Sequence, residues 1–171
     1  MDIAAFIALA LACAPQVHPD TARAIVVVES AFNPYAIGVV GGVLERQPRT
    51  RAEALATAKE LDARRWNYSV GLGQINVSNF GRLGLTAETA FDPCTNLGAL
   101  QTLLGECYER APAAAVQGSL RQALSCYYSG NFSTGVRHGY VDRVVIAALP
   151  PGSSPSSPRR LRSSSSQESL P

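Results

Sequence analysis

Ile25-Val26-Val27-Val28-Glu29-Ser30-Ala31-Phe32-Asn33-Pro34 is the stretch around which the rest of the chain is organised. If the residues from about Thr21 onward are helical, Ile25 lies one turn before Glu29 and Val26 lies three residues before it, so both flank the carboxylate. Apolar neighbours remove water from the charged form of the acid, which raises its pKa and keeps its proton near neutral pH. The stretch therefore makes Glu29 a candidate general acid. The ordinary alternative is a glutamate at the last solvated turn of a core helix.

The length and the charge of the chain limit the classes of protein to which it can belong. Its 171 residues suffice for one domain with a proper core but not comfortably for two. Up to Leu149, twelve Lys and Arg residues balance twelve Asp and Glu residues, and the excess positive charge comes from Arg159, Arg160 and Arg162. A neutral domain lacks the electrostatic footprint of a nucleic-acid-binding protein, so we expect no nucleic acid partner. No run reaches the roughly 18 apolar residues of a membrane span.

Apolar periodicity and helix-ending residues predict a mainly α protein. The glycine-rich, β-branched segment 35–50 predicts a loop or a small hairpin inserted between helices. No alternating pattern predicts a larger sheet. The predicted helices cover residues 3–12, about 20–30, 51–66, 78–83, 94–110, 120–128 and 140–149.

The two ends of the chain raise the question of where the domain starts and stops. Residues 3–12 have the length of a signal peptide, but no Lys or Arg precedes them and Asp2 has the opposite charge. We therefore expect them to form the first helix of the domain and find no clear cleavable signal peptide. Residues 150–171 are rich in Pro, Gly and Ser and cannot bury enough apolar area to offset their ordering entropy. This composition predicts a domain of residues 1–149 followed by a disordered tail.

Four cysteines, Cys13, Cys94, Cys107 and Cys126, give the chain an even number of thiols. They form no Cys-x-x-Cys pair, and the two histidines do not have metal-ligand spacing to them, so we expect no metal site. An even count suits disulfides in an oxidising compartment, but buried free thiols are equally ordinary. The spacing leaves all three pairings open.

Other catalytic schemes find less support in the sequence. Ser-His-Asp hydrolysis needs an elbow such as Gly-x-Ser-x-Gly, which the chain lacks. A cysteine peptidase could pair Cys107 or Cys126 with His138, although nothing marks either thiol as activated. Paired-carboxylate hydrolysis of a glycosidic bond needs a second acid about 5–10 Å from the first. The acids that follow Glu29 lie in the insertion and on the next helix, and none of them stands out as its partner.

Four blocks of sequence occur in a definite order. They are Glu29-Ser30-Ala31-Phe32-Asn33-Pro34, Gly71-Leu72-Gly73-Gln74-Ile75-Asn76, Asp92-Pro93-Cys94-Thr95-Asn96-Leu97 and Tyr127-Tyr128-Ser129-Gly130-Asn131. Together they resemble the soluble lytic transglycosylase superfamily, whose catalytic domain has a goose-type, lysozyme-like α fold. The resemblance covers about residues 3–149 and is closest to the branch that accompanies type IV secretion and conjugation systems. It implies a lysozyme-like domain with a small loop or hairpin insertion.

The resemblance also implies roles for particular residues. Glu29 matches the sole catalytic acid and base of the family, and Ser30 matches the neighbour that helps to orient substrate and charge. Gln74 matches a groove residue that hydrogen-bonds the sugar. Asn96 matches the asparagine of the helix that faces the site, and Tyr127 matches the tyrosine whose hydroxyl lies near the catalytic carboxylate. Taken alone, Ser30, Asn96 and Tyr127 each have an ordinary structural role as well, as a helix cap or a core aromatic.

The activity that the resemblance implies is cleavage of peptidoglycan glycan strands at the β-1,4 bond between N-acetylmuramic acid and N-acetylglucosamine. The product is a 1,6-anhydro ring, and the reaction needs no cofactor. The resemblance further implies a monomer in the periplasm that opens the cell wall locally for a secretion or conjugation apparatus. One alternative is a hydrolytic muramidase that uses an acid from the 35–62 region. Another is a non-catalytic peptidoglycan-binding or scaffold subunit of the same fold.

The resemblance also bears on the cysteines. The branch often carries cysteines at the positions of Cys13 and Cys94, which implies a disulfide between them; Cys107 and Cys126 are a second candidate pair on consecutive helices.

Three residues depart from the pattern. Tyr128 replaces a usual asparagine, which puts in doubt one substrate contact or the packing behind it. Gly73 replaces a common methionine, which predicts a thinner apolar wall in the groove. Ala31 replaces a usual glycine, which is a mild change.

Overall fold

The computed structural model describes residues 1–112 and 116–149, with the backbone alone at 116–117. The predicted tail, 150–171, lies outside these residues. The helices are Ile3–Cys13 (α1), Pro19–Ser30 (α2), Arg51–Ala63 (α3), Phe80–Leu83 (α4), Ala87–Ala90 (α5), Pro93–Arg110 (α6), Val116–Ser129 (α7), Thr134–Arg137 (α8) and Tyr140–Ala148 (α9). A short 3-10 turn, Val77–Asn79, precedes α4. The predicted mainly α class is confirmed.

Helix α2 is the element that carries Glu29, and its sequence explains both its start and its buried face. Pro19 occupies the first turn, and the ring of His18 accepts a 3.3 Å hydrogen bond from the backbone N–H of Asp20. Ile25 and Val26 are fully buried. This face packs against α1 and α9. The helix therefore presents its C-terminal end, with Glu29, beside the start of α9.

Helix α6 runs through the centre of the domain. The carboxylate of Asp92 caps it by accepting a 2.8 Å hydrogen bond from the N–H of Thr95. Leu97, Leu100 and Leu104 follow at helical spacing and are buried against α1 and α7. The hydrophobic core of the domain therefore forms around this helix.

Two disulfides fasten α6 to its neighbours: the pair that the resemblance implied and the second candidate pair on consecutive helices. Cys13 at the end of α1 is bonded to Cys94 at the start of α6, and Cys107 of α6 is bonded to Cys126 of α7. The first closes a loop with a sequence separation of 81 and the second one with a separation of 19. Loop-closure entropy predicts about 4 and 3 kcal/mol of stabilisation respectively.

A small antiparallel sheet covers one side of the helices. Its strands are Ile37–Val39 (β1), Tyr68–Val70 (β2) and Ile75–Asn76 (β3), in the order β1-β2-β3. Ile37 lies opposite Val70, and Val70 lies opposite Ile75. Strands of two or three residues are too short to produce a visible alternation of apolar and polar residues, so the sequence did not predict this sheet.

The insertion 35–50 is not a hairpin, because it supplies only β1 and its partner strand comes from beyond α3. The outer edge of β1 is covered by a side chain instead. Gln47 accepts a 2.8 Å hydrogen bond from the N–H of Ile37 and donates a 2.9 Å hydrogen bond to the Ile37 carbonyl. One glutamine thus takes the place of a further strand at an edge that would otherwise be open.

Smaller departures from the sequence prediction concern one-turn helices. The predicted helix 78–83 is divided into the 3-10 turn and α4. The segment between it and the predicted helix 94–110, for which no helix was predicted, contains α5, which a Thr86–Thr89 capping box begins. Among residues 1–112 and 116–149, no helix combines the length and the apolar character needed to cross a membrane.

Candidate active site

A groove with a volume of about 610 Å³ runs beside the C-terminal end of α2. Its polar wall is formed by the sheet and the turn that follows it, and its apolar wall by side chains of β1, α6 and α7. The lining includes Glu29, Val39, Asn67, Ser69, Gln74, Asn76, Leu103, Tyr127 and Tyr128. The groove therefore combines hydrogen-bonding groups with aromatic surface around one carboxylate, which is the usual composition of a small-molecule or sugar site.

Glu29 has the shielding that the sequence predicted. Ile25 and Val26, on the turn before it, are fully buried. Burial raises the pKa of Glu29 from its ordinary value of 4.5 to about 7, because removal of water disfavours the charged form. A hydrogen bond from Tyr140 and the positive charge of Arg143 oppose this effect only in part. A carboxyl group of this kind is protonated at neutral pH for much of the time, as a general acid must be.

Tyr140 is the hydrogen-bond partner of Glu29 and was not predicted from the sequence. Its hydroxyl donates a 2.6 Å hydrogen bond to Oε1 of Glu29, and its ring is 1% exposed. The only available signal was indirect: a shielded carboxylate needs a donor, and Tyr140 opens the last apolar helix. Because 111 residues separate the two, the spacing of the sequence does not reveal the contact.

Tyr127 lines the groove near Glu29, and its hydroxyl bonds the backbone rather than the carboxylate. It donates a 2.6 Å hydrogen bond to the carbonyl oxygen of Gly73. Burial, and then the nearby charge of Glu29, raise the pKa of Tyr127 well above its ordinary value, so this tyrosine stays neutral. The hydroxyl that bonds the carboxylate therefore belongs to Tyr140, and Tyr127 supports the loop that carries Gly73.

The space beside Gly73 is filled rather than open. A Cβ atom at this position would lie 2.9 Å from the Tyr127 hydroxyl and 3.0 Å from Cδ1 of Leu100. No side chain fits there without displacing one of them. The expectation of a thinner apolar wall is corrected accordingly, because Tyr127 and Leu100 occupy the volume that a side chain at 73 would need.

Asn96 holds the same loop from the other side and does not line the groove. It is 1% exposed, its side-chain oxygen accepts a 2.8 Å hydrogen bond from the N–H of Gly73, and its nitrogen donates to the carbonyls of Val70 and Ala90. Its side-chain nitrogen uses both of its hydrogen-bond donors within the protein, and its oxygen accepts one bond there. The expected contact of Asn96 with substrate is therefore corrected to a structural role that positions the 71–74 loop.

Gln74 is the residue of that loop that faces the groove. Its backbone adopts the left-handed conformation, with φ of 49°, which is uncommon for a residue other than glycine. Its side-chain nitrogen donates to the carbonyls of Ala36 and Gly71, both at 3.0 Å. Its side-chain oxygen is the group that remains to accept a hydrogen bond from a ligand.

Ser30 does not contribute a hydroxyl to the groove. Its Oγ donates a 3.2 Å hydrogen bond back to the carbonyl of Val26, one turn earlier in α2. The next two residues, Ala31 and Phe32, have φ values of 48° and 63° and end the helix in the left-handed region. The hydroxyl of Ser30 is thus bonded within the end of the helix, and Ser30 is not among the residues that line the groove.

Among the described residues that line the groove, Glu29 is the one carboxylate. None of the four acids of the 35–62 region lines the groove. Glu53 bonds Arg46, Glu60 bonds Arg64, and Asp62 accepts a hydrogen bond from Tyr68. No cluster of His, Cys, Asp and Glu that could hold a metal occurs in the part of the chain that the structure describes. The thiols of a cysteine peptidase are also ruled out, since both candidate cysteines are in a disulfide.

Comparison with known proteins adds to this geometry. The family model described as "Transglycosylase SLT domain" matches residues 6–144. The "Type IV secretion system protein virB1" of Brucella suis biovar 1 is 50% identical over 151 residues, which cover 84% of this chain and 63% of that protein. The "Protein virB1" of Agrobacterium fabrum is 41% identical over 151 residues, covering 86% of this chain and 61% of the relative. The chain therefore spans a little over three fifths of the length of these relatives. No solved structure gave a significant match.

Proposed function

The chain belongs to the transglycosylase SLT family, and from this premise we propose that it is a peptidoglycan lytic transglycosylase. Its substrate would be the β-1,4 bond between N-acetylmuramic acid and N-acetylglucosamine. The observation that carries the proposal is Glu29, a shielded carboxyl group whose pKa is raised to about 7 and which has no second acid with it among the described residues of the groove. Hydrolysis by a pair of carboxylates needs a second acid as nucleophile or base, and the described lining of the groove supplies none.

The proposed reaction uses Glu29 twice. Its carboxyl group donates a proton to the glycosidic oxygen as the bond from C1 of N-acetylmuramic acid breaks, and the N-acetyl group of the substrate supplies the internal nucleophile. The resulting carboxylate takes the proton from the C6 hydroxyl of the same sugar, and O6 bonds to C1. The bond between the N-acetyl oxygen and C1, formed in the first step, breaks as O6 bonds to C1. Overall, one C–O bond is broken and one is formed, the proton returns to Glu29, and no water is consumed. Tyr140 stabilises the carboxylate between the two steps through its hydrogen bond.

The polar wall of the groove suits the N-acetyl and hydroxyl groups of such a substrate. Asn76 donates hydrogen bonds to Asn67 at 2.7 Å and to Ser69 at 3.2 Å, so these side chains are already held in place before a ligand arrives. The side-chain oxygen of Gln74 adds an acceptor. A preformed wall of this kind lowers the entropy lost on binding.

Relatives named as type IV secretion system proteins support a proposal for the setting of the activity. We propose that the protein acts in the periplasm as a monomer, where it opens the glycan mesh locally during assembly of a secretion or conjugation apparatus. Two disulfides are consistent with an oxidising compartment. The partners of the protein would then be peptidoglycan and components of that apparatus.

Analysis of the cleavage products tests the proposed reaction. Purified protein is incubated with peptidoglycan sacculi, and the soluble muropeptides are identified by mass spectrometry. We expect 1,6-anhydro ends, whose mass is lower by one water than that of reducing ends. A mock digestion without protein gives the background of anhydro ends. Reducing ends would establish a hydrolytic muramidase instead, and the absence of any product together with retained binding would establish a scaffold subunit.

A further inference from the structure

Tyr128 departs from the usual asparagine, and its ring lies against that of Tyr140. The ring centroids are 4.6 Å apart and the ring planes differ by 19°, which is a stacked arrangement. Tyr140 in turn donates its hydroxyl to Oε1 of Glu29. A single aromatic ring therefore separates Tyr128 from the candidate acid.

Further contacts hold this pair of rings in place. The hydroxyl of Tyr128 lies 3.4 Å from Nδ1 of His138, and these two rings meet edge to face with their centroids 6.0 Å apart. The guanidinium of Arg143 lies 5.8 Å from the centroid of Tyr140 and donates a 3.1 Å hydrogen bond to the carbonyl of His138. The end of α7, the turn after α8 and the first turn of α9 thus all contact the ring pair.

Exposure distinguishes the two tyrosines of the pair. Tyr140 is 1% exposed, whereas Tyr128 is 42% exposed and lines the groove. A ring that retains this much exposure is not part of the hydrophobic core; it stacks on Tyr140 and meets His138 at its edge. Asparagine has no ring and cannot form such a stack. The departure at 128 therefore changes the support of Tyr140.

Building on the proposed function, we propose that Tyr128 is a positioning residue whose ring holds Tyr140 in the orientation from which the Tyr140 hydroxyl reaches Glu29. Tyr128 then affects the rate through Tyr140 and not by its own contact with the sugar. The aromatic ring of Tyr128 is the part that supports Tyr140, since the hydroxyl of Tyr128 points to His138.

A double-mutant cycle tests whether Tyr128 acts through Tyr140. We expect Tyr128→Asn to lower kcat about two- to tenfold with little change in KM, which is the range that loss of one aromatic stack represents. Tyr128→Phe should restore most of the lost rate, because it keeps the ring. In a Tyr140→Phe background, Tyr128→Asn should cause no further loss, since the hydroxyl that it positions is already absent.

Other results of the cycle would overturn the inference. Additive losses in the double variant would show that Tyr128 acts independently of Tyr140. A rise in KM with kcat retained would make Tyr128 a sugar contact. Tyr108→Asn is the matched control, because Tyr108 is 44% exposed and lines a separate cavity with Val17 and Leu104. An equal loss of kcat in this control would show a general effect of ring removal.

A titration of the Glu29 carboxyl group by carbon-13 NMR separates this inference from the proposed function, because it requires no turnover. The groups that face Glu29 are Tyr140 and Arg143 from α9 and Tyr127 from α7. We expect Tyr128→Asn to move the pKa of Glu29 upward, in the same direction as Tyr140→Phe, because both weaken a hydrogen bond that favours the charged form. An unchanged or lowered pKa would overturn the positioning role. A protein that fails to cleave sacculi but shows the upward shift would retain the positioning role and lose the proposed function.

Discussion

Glu29 and Glu53 are two glutamates of one domain that the fold places in opposite electrostatic surroundings. Glu29 lies in the last turn of α2, and burial raises its pKa to about 7. Glu53 lies in the first turn of α3, where the side chain of Arg46 donates a hydrogen bond at 2.8 Å and the backbone N–H of Arg49 donates one at 2.9 Å. These contacts lower the pKa of Glu53 to about 2.

The helix ends add to the contrast. The C-terminal end of α2 carries partial negative charge, which disfavours a carboxylate, whereas the N-terminal end of α3 carries partial positive charge, which favours one. Among the residues that the structure describes, no cation is bonded to Glu29, and Arg143 acts on it through space. The comparison teaches that the same side chain becomes a proton donor or a fixed anion according to its hydration, its partners and its place on a helix.

The largest expected difference between the two glutamates is in activity. We expect Glu29→Gln to lower the rate of release of soluble muropeptides from sacculi by about 10³- to 10⁴-fold, because it removes the group that the proposed mechanism uses as both acid and base. Glu53→Gln is the matched control and should stay within about twofold of the unmodified protein, since Glu53 lies outside the groove. Equal clearing of sacculi by the Glu29→Gln variant would exclude Glu29 from the mechanism.

The next difference is in the pH dependence of stability. The pKa of Glu29 rises on folding from about 4.5 to about 7, so the native state holds this proton more tightly than the unfolded state does. The contribution to stability is complete below pH 4.5 and is lost as the pH rises through 7, by about 3 kcal/mol. For Glu53 the sign is reversed, because its contribution is present above pH 4.5 and is lost as the pH falls towards 2.

Urea denaturation between pH 4.5 and pH 8 measures this linkage. We expect the free energy of unfolding of the unmodified protein to decrease as the pH rises through the pKa of Glu29. The Glu29→Gln variant should lack this decrease. The difference between the two curves isolates Glu29 from the other titrating groups. Parallel curves for the two proteins would mean that Glu29 titrates alike in the folded and unfolded states, and the contrast with Glu53 would then disappear.

The sequence predicted those parts of the fold and site that depend on residues close together in the chain. The shielding of Glu29 comes from Ile25 and Val26 on its own helix, so helical spacing was enough to predict it. The partner of Glu29 was not predictable in this way, because Tyr140 reaches it only through the packing of α9 on α2. The same limit applies to Gln47, whose side chain covers the edge of a strand too short to be recognised.

The resemblance identified the loop at 71–74, but it did not predict which side chains hold this loop in place and which face the groove. Asn96 carries amide groups that suit a sugar as well as they suit a backbone, and only its burial beneath Gly73 decides between the two. Tyr127 was expected beside the carboxylate and is found there, but its hydroxyl bonds the Gly73 carbonyl. Residue types alone predict that a polar group needs a partner, and the fold determines which partner it obtains.

A smaller effect is expected from the two tyrosine hydroxyls beside Glu29. Tyr140→Phe removes the hydrogen bond that stabilises the carboxylate, so the pKa of Glu29 should rise and kcat should fall about tenfold. The decline of activity at alkaline pH should move to higher pH in this variant. In Tyr127→Phe the alkaline decline of activity should stay at the same pH, because the hydroxyl of Tyr127 bonds Gly73 and not Glu29. Identical pH profiles for the two variants would contradict the assignment of Tyr140 as the partner of Glu29.

The smallest expected effect concerns the residue at which α2 ends. Ala31 adopts φ of 48°, a conformation that costs a residue with a Cβ atom about 1 kcal/mol and costs glycine nothing. Ala31→Gly should therefore raise the free energy of unfolding by up to about 1 kcal/mol, reduced by the extra entropy that glycine gives the unfolded chain. Ala56→Gly makes the same chemical change at an exposed position inside α3 and should lower stability by about 1 kcal/mol. Midpoints of urea denaturation compare the two, and a loss in both variants would show that the end of α2 is not strained. Because the methyl group of Ala31 is exposed to solvent, Ala31→Gly should leave the pKa of Glu29 unchanged.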